Sequence, residues 1–119
     1  MQTEFLFRLP LGYQDGSGQV HREGAMRLAT AIDEIVPLGD ARVRANEAYL
    51  SVLLLARVVT RLGSLSAVTP EVIEGLFSAD LAYLQALYRQ INQTGGPVVE
   101  AVCPHCGRAF EATLALPEA

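Results

Sequence analysis

A chain of 119 residues is the length of one domain, and with half of its residues hydrophobic it can bury a modest core. Its formal net charge of −4 excludes a non-specific nucleic-acid binder, which needs a positive surface. All nine basic residues are arginines, which reflects mainly a GC-rich coding sequence and also favours bidentate ion pairs. Residues 51–59 are too few and too polar at their borders to span a bilayer, and Glu4 and Arg8 interrupt the opening apolar run. The expectation is a soluble, cytoplasmic protein without a secretory leader.

Residues 4–9 alternate as a strand does, with Phe5, Phe7 and Leu9 on one face, and Pro10 is predicted to stop it. Residues 12–18 form a turn in which Asp15-Gly16 is the strongest pair. Its glycines open no helix, so it is not a phosphate-binding loop. A returning strand is predicted over 19–28, broken at Gly24. One hairpin cannot stand alone, so it must pack on other elements.

The middle of the chain is helical. Thr30 is a good N-cap, with Asp33 three residues on as in a capping box, for a short helix through Val36. The Pro37-Leu38-Gly39-Asp40 run breaks it. A main helix then starts at Asp40 or Asn46 and ends at Leu62, capped by Gly63. Its apolar face is broad (Tyr49, Leu50, Leu53, Leu54, Val58, Leu62), which predicts burial on more than one side. Thr69-Pro70-Glu71 starts a short helix to Phe77. Ser78 caps the last one, with Asp80 in its first turn and a stripe of Leu81, Leu84, Leu87, Tyr88 and Ile91; residues 92–96 end it.

Residues 103–107 read Cys-Pro-His-Cys-Gly and hold both cysteines of the chain. A dithiol oxidoreductase carries such a Cys-x-x-Cys at the start of a long helix, which lowers the pKa of the first thiol. Here only 13 residues follow Cys106, and they alternate like a strand, with Phe110, Ala112 and Leu114 on one face. Residues 97–102 also read as a strand. Strand, Cys-x-x-Cys-Gly turn, strand is the layout of a zinc knuckle, and Gly107 supplies the positive φ such a turn needs. Structural Zn2+ takes four ligands. Cys103 and Cys106 provide two, and three completions stand open: His21 with an acid, a water or His105; two chains sharing one ion; or no metal at all. A disulfide is the remaining alternative, in an oxidising compartment.

No catalytic constellation is visible. Asp33 and Glu34 are neighbours and point about 100 degrees apart on a helix, so they read as a cap and a solvated acid. His21 reads as a surface or edge histidine, with metal ligation the alternative. Arg57 and Arg61, four residues apart, either grip a partner carboxylate, form a solvated helix edge, or tie down Asp33, Glu34 or Asp80. Tyr13, Tyr49, Tyr83 and Tyr88 read as core rim.

Three motifs in order carry a resemblance: Met26-Arg27-Leu28-Ala29-Thr30-Ala31-Ile32-Asp33, then Leu55-Ala56-Arg57-Val58-Val59-Thr60-Arg61-Leu62-Gly63, then Leu76-Phe77-Ser78-Ala79-Asp80-Leu81-Ala82-Tyr83-Leu84. Preceded by a two-stranded start around a proline and a glycine-rich turn, they resemble the Mu-like tail assembly chaperone family of contractile phage tails and its relatives in contractile injection systems. The resemblance covers residues 4–92. The Cys-x-x-Cys hairpin is an addition to that pattern. The whole layout, from Phe7-x-Leu9-Pro10-x-Gly12-Tyr13 to Cys-Pro-x-Cys, is similar to small proteins encoded among tube and baseplate components.

The fold expected is α+β: an N-terminal β-hairpin, a three- to four-helix core, and a C-terminal zinc-knuckle-like β-hairpin. Residues 1–92 would form the body and 93–119 the appended hairpin. The resemblance implies a non-enzymatic assembly protein that binds tape-measure, tube or baseplate proteins, self-associates, and binds neither nucleic acid nor membrane. Such a role asks for an apolar groove that accepts a partner helix. Tyr49, Leu53, Leu54, Arg57, Arg61 and Tyr88 are the residues expected to line it. A structural baseplate or tube-adaptor subunit is the alternative, followed by a zinc-ribbon adaptor and a dithiol oxidoreductase.

Overall fold

The structure, a computed structural model, describes residues 2–94, 98–102 and 109–113. It is mixed α+β. Strands β1 (Glu4–Gln14) and β2 (Val20–Arg27) lead into helices α1 (Ala31–Ile35), α2 (Ala41–Ala45) and α3 (Leu50–Val58). Strand β3 (Val59–Leu62) follows, then α4 (Pro70–Glu74), α5 (Ser78–Thr94) and the strands β4 (Val98–Val102) and β5 (Ala109–Thr113). Short 3-10 turns at Val36–Gly39 and Glu47–Tyr49 join α1 to α2 and α2 to α3.

β1, β2 and β3 form one antiparallel sheet in that order. The alternation read from the sequence sets its inner face: Phe5, Phe7 and Leu9 are buried while Glu4, Leu6 and Arg8 are exposed. The inner face packs with Leu55 and Val58 of α3, Ile73 of α4 and Leu84, Leu87 and Ile91 of α5 in one hydrophobic cluster. Three helices covering one face of a twisted sheet is what gives the hairpin the support it cannot supply itself.

Three expectations are corrected. Pro10 does not end β1; the strand runs on to Gln14, with an irregular register between Arg8 and Tyr13. Proline lacks the N–H a regular ladder would use, so it falls where the ladder is interrupted. Gly24 does not break β2, which is continuous from Val20 to Arg27. A Cβ there would lie 2.3 Å from the Arg61 carbonyl oxygen and 2.6 Å from Phe7 Cζ, so the glycine is what lets β1 and β3 close in on either side.

The third correction is larger. The main helix is not continuous and does not reach Leu62. Its N-terminal part divides into α2, capped by the Asp40 side chain on the Arg42 amide at 2.8 Å, and a 3-10 turn capped by Asn46 on the Ala48 amide. Its C-terminal part leaves the helix at Val58 and becomes β3, pairing with β2 through Ala25↔Arg61 and Gly24↔Leu62. Successive β-branched residues at 58–60 weaken the helix, and the open edge of β2 offers them a ladder. Gly63 has φ +55, yet it ends a strand and not a helix, donating its amide to the Glu23 carbonyl at 2.7 Å. The short helices are otherwise near their predicted places, although α4 stops at Glu74 and not at Phe77.

β4 and β5 pair antiparallel from Val98↔Thr113 to Val102↔Ala109. Cys103, His105, Cys106 and Gly107 lie outside the described residues.

Candidate functional site

Asp33 sits at the junction of the sheet and the helices, 2% exposed. Its carboxylate accepts a bidentate pair from Arg27 (2.6 and 2.9 Å), a third bond from Arg57 Nε (3.0 Å), and the amide and hydroxyl of Thr30 (2.8 and 3.0 Å). The Thr30 amide bond is the acidic half of the expected capping box. Arg27 also reaches the carbonyls of Leu28 and Arg57, so one cluster ties the end of β2, the start of α1 and the end of α3. The Arg27 guanidinium first, then the Thr30 amide and Arg57, holds the Asp33 carboxyl well below the usual carboxylate range against the opposing effect of burial. An anion so fully engaged has no basic lone pair to spare, so the cluster is a tether and not an acid–base site.

Asp80 is fully buried in the first turn of α5. Its two oxygens accept the amides of Leu11 and Gly12, at 2.9 and 2.8 Å. Arg22 donates to the carbonyls of Leu9 (3.0 Å) and Pro10 (2.8 Å). One acid and one base thus satisfy the backbone groups of β1 where its register is irregular. Gly12 belongs there because its φ is +105 and a Cβ would fall 2.6 Å from Val20 Cγ1.

His21 is buried, not at the surface, at 3% exposure. Its Nδ1 accepts the Ser64 amide at 3.2 Å, which leaves the proton on Nε2 to be donated to Asp15 at 2.7 Å. Both ring nitrogens are therefore committed, and a metal ion would have to displace one of these bonds. Among the described residues no cluster of three or more His, Cys, Asp or Glu side chains is placed to hold a metal. Asp15 is held well below the usual carboxylate range by the Ser17 hydroxyl first and His21 next.

Gly63 closes against this histidine: a Cβ there would lie 2.2 Å from His21 Nδ1, on a backbone already in the left-handed region. Because both nitrogens pin the ring, it cannot step aside. Gly63→Ala is expected to lower stability by about 1–2 kcal/mol. Thermal melts compared with Gly16→Ala, where nothing lies within 4 Å and φ is not in the left-handed region, would show this.

Of the six residues expected to line a groove, four fall in two separate hollows, and Arg61 and Tyr49 in neither. Leu54 and Tyr88 line one of about 170 Å³ between α3 and α5, with Ser51, Leu55, Gln85 and Arg89. Leu53 lines another of about 340 Å³ with Val36, Pro37, Ala56, Val68 and Pro70. Arg57 stands at the rim of the second, already bound to Asp33. Arg61 is not on the same helix face as Arg57; it lies in β3, beside Leu6, Arg8 and Tyr83. Tyr49 donates its hydroxyl to Glu74, and Arg42 covers its ring at 5.1 Å from the centroid. Tyr88 donates to Glu34 at 2.5 Å; burial and that carboxylate raise its hydroxyl pKa, so it stays a neutral donor.

The sequence reading missed one exposed apolar run. Ile32, Ile35, Val36 and Leu38 of α1 and the turn after it are each at least half exposed. Their spacing looks like a core stripe, and periodicity alone cannot say whether a stripe meets its own core or another protein. The run adjoins the larger hollow through Val36. No helix among the described residues is long and apolar enough to cross a membrane. No protein-family model matches the chain, and no curated protein or solved structure matches it either.

Proposed function

We propose that this chain is an assembly protein of a phage-tail-like contractile injection system, binding tape-measure or tube proteins while the tail forms. The observation that carries the reading is the exposed apolar run Ile32, Ile35, Val36 and Leu38 leading into the hollow lined by Leu53, Pro37 and Val68. A contiguous apolar surface of this kind suits the apolar face of an amphipathic helix. The resemblance supplies the partner: the tape-measure helix, which needs cover until tube subunits polymerise round it. The motif residues Arg27, Asp33 and Arg57 meet in one ion cluster, which suits motifs that mark a shared architecture and not a shared chemistry.

Multi-angle light scattering of the chain with and without the tape-measure protein tests the reading. A stable complex is expected, weakened by Ile35→Asp and Leu38→Asp at about tenfold each, as the loss of a buried apolar anchor predicts. No complex at high micromolar concentration removes the chaperone role. Fixed stoichiometry in purified particles favours a baseplate or tube-adaptor subunit.

Zinc belongs to the same proposal. The donor chemistry of Cys103, Cys106 and His105 suits Zn2+, whereas His21, with both nitrogens committed, does not offer a free one. Protein purified without chelator is expected to contain zinc, to lose it on Cys103→Ser, and to keep it on His21→Gln. One zinc per two chains would mark a shared site; zinc-free protein ends the idea.

A further inference from the structure

The free edge of β1 is self-complementary. Two bonds fix which way its backbone groups point. Leu28 donates to the Thr3 carbonyl at 2.8 Å, and Gly63 donates to the Glu23 carbonyl at 2.7 Å. With the register Glu4↔Arg27 to Arg8↔Glu23, Thr3, Phe5 and Phe7 then turn their N–H and C=O toward β2. Glu4, Leu6 and Arg8 turn theirs away from it. No strand pairs with that side of β1 among the described residues. The same three residues place their side chains on the solvent face, and Leu6 is the most exposed large hydrophobic of the described chain, at 77%.

Natural edge strands are normally blunted. Beyond Leu9 this one is: Pro10 lacks an N–H, and Asp80 consumes those of Leu11 and Gly12. From Glu4 to Arg8, among the described residues, no proline and no buried acid blocks the edge; only the Glu4 carbonyl is engaged, by the exposed Gln2 side-chain amide, and the two charges present are of opposite sign. The side chains there carry opposite charges spaced symmetrically about Leu6. If a second β1 lies antiparallel with Leu6 opposite Leu6, Glu4 falls opposite Arg8 and Arg8 opposite Glu4. All three turn their backbone groups to the free edge, so these three pairs are hydrogen-bonded ones, with Phe5 and Phe7 in the non-hydrogen-bonded pairs between them. Arg8 has no ion pair of its own among the described residues; the Glu4 carboxylate accepts the Thr60 hydroxyl at 3.0 Å, and the Glu4 carbonyl accepts the exposed Gln2 side-chain amide at 3.1 Å, which a pairing strand would have to displace.

We propose that two copies of this chain associate by antiparallel β1–β1 pairing about a twofold axis at Leu6, joining their sheets into one of six strands. The interface is isologous and closed, since each β1 has one free edge. The inference does not depend on the tape-measure reading; it assigns a surface to the expected self-association.

Charge exchange tests it in the full chain. Sedimentation of the wild type is expected to show a dimer. Glu4→Arg sets arginine opposite Arg8, and Arg8→Glu sets glutamate opposite Glu4. Each occurs twice across the axis and is expected to raise Kd about tenfold. The double exchange E4R/R8E restores both pairs and should return Kd to within about threefold of wild type. Leu6→Lys places two ammonium groups across the axis and should give monomer. These positions are exposed, and circular dichroism checks that each variant stays folded. Amide exchange of Leu6 and Arg8 should slow with concentration. A wild type that remains monomeric, a double exchange no tighter than the single ones, or concentration-independent exchange at Leu6 each overturns the proposal.

Discussion

Asp33→Ala is expected to lower the folding free energy by about 3 kcal/mol, which corresponds to a fall in Tm of about 10 °C for a domain of this size. Removing the carboxylate leaves two guanidinium groups facing each other without an anion, and leaves the Thr30 amide without its acceptor. Breaking a buried ion pair by deleting one partner costs about 3–5 kcal/mol. The lower end applies here, because the side chains of Arg27 and Arg57 are 34% and 36% exposed and can turn to water. Arg27→Ala should cost more than Arg57→Ala, since Arg27 supplies the bidentate pair and two carbonyl contacts. Equal losses would show that the geometry of the fork contributes nothing.

The pH dependence has a definite sign. The folded-state pKa of Asp33 is depressed, so its contribution is fully present above the unfolded carboxyl value of about 3.9 and is lost as pH falls below it. Asp33→Asn removes that dependence along with the ion pairs. The stability gap between wild type and D33N should therefore be widest near neutral pH and narrow on acidification toward pH 3. Asp15 is depressed in the same direction, so the variant keeps part of its acid sensitivity. A gap that widens on acidification would contradict the assignment of the anion to Asp33.

What the sequence made legible follows a physical division between local and non-local causes. The alternation of Phe5, Phe7 and Leu9 correctly names the inner face of β1, because a half-buried strand has a period of two. Thr69-Pro70 and Asp40 were readable as helix starts, because a cap bonds within its own turn. The fate of residues 59–62 was not readable. Leu62 falls on the helical period of Leu55 and Val58, and only the vacant edge of β2, some 35 residues earlier, makes a strand of it. Arg57 was left open between a partner carboxylate, a solvated helix edge and tying down an acid, and the structure joins it to Asp33. His21 was the reverse case. Its neighbours Val20 and Arg22 look like an exposed edge, yet Gly63 and Ser64 fold over it from the end of the neighbouring strand β3.

Asp80→Ala should be nearly as damaging as the loss of Asp33, at about 2–3 kcal/mol, and the reason lies far from α5 in sequence. In its first turn an aspartate looks like a dipole acid with a modest role. In the fold it accepts the amides of Leu11 and Gly12, 69 and 68 residues away. An unmet buried donor costs about 1–3 kcal/mol. Leu11 is half exposed, so water can take over its amide; Gly12 is buried, and its amide has no such recourse. Most of the loss therefore belongs to Gly12. Asp80→Asn should recover part of the loss, because its one acceptor oxygen can still meet the Gly12 amide while its N–H turns toward Leu11, whose amide water can take over. Arg22→Ala, by contrast, frees the carbonyls of Leu9 and Pro10, but truncating that half-buried side chain admits water to them, and it should cost about 1 kcal/mol. Amide exchange separates the two cases: the Gly12 amide should exchange faster in D80A and stay protected in R22A. If D80A melts like the wild type, β1 is held past Pro10 by its strand pairing alone, and the carboxylate merely fills space.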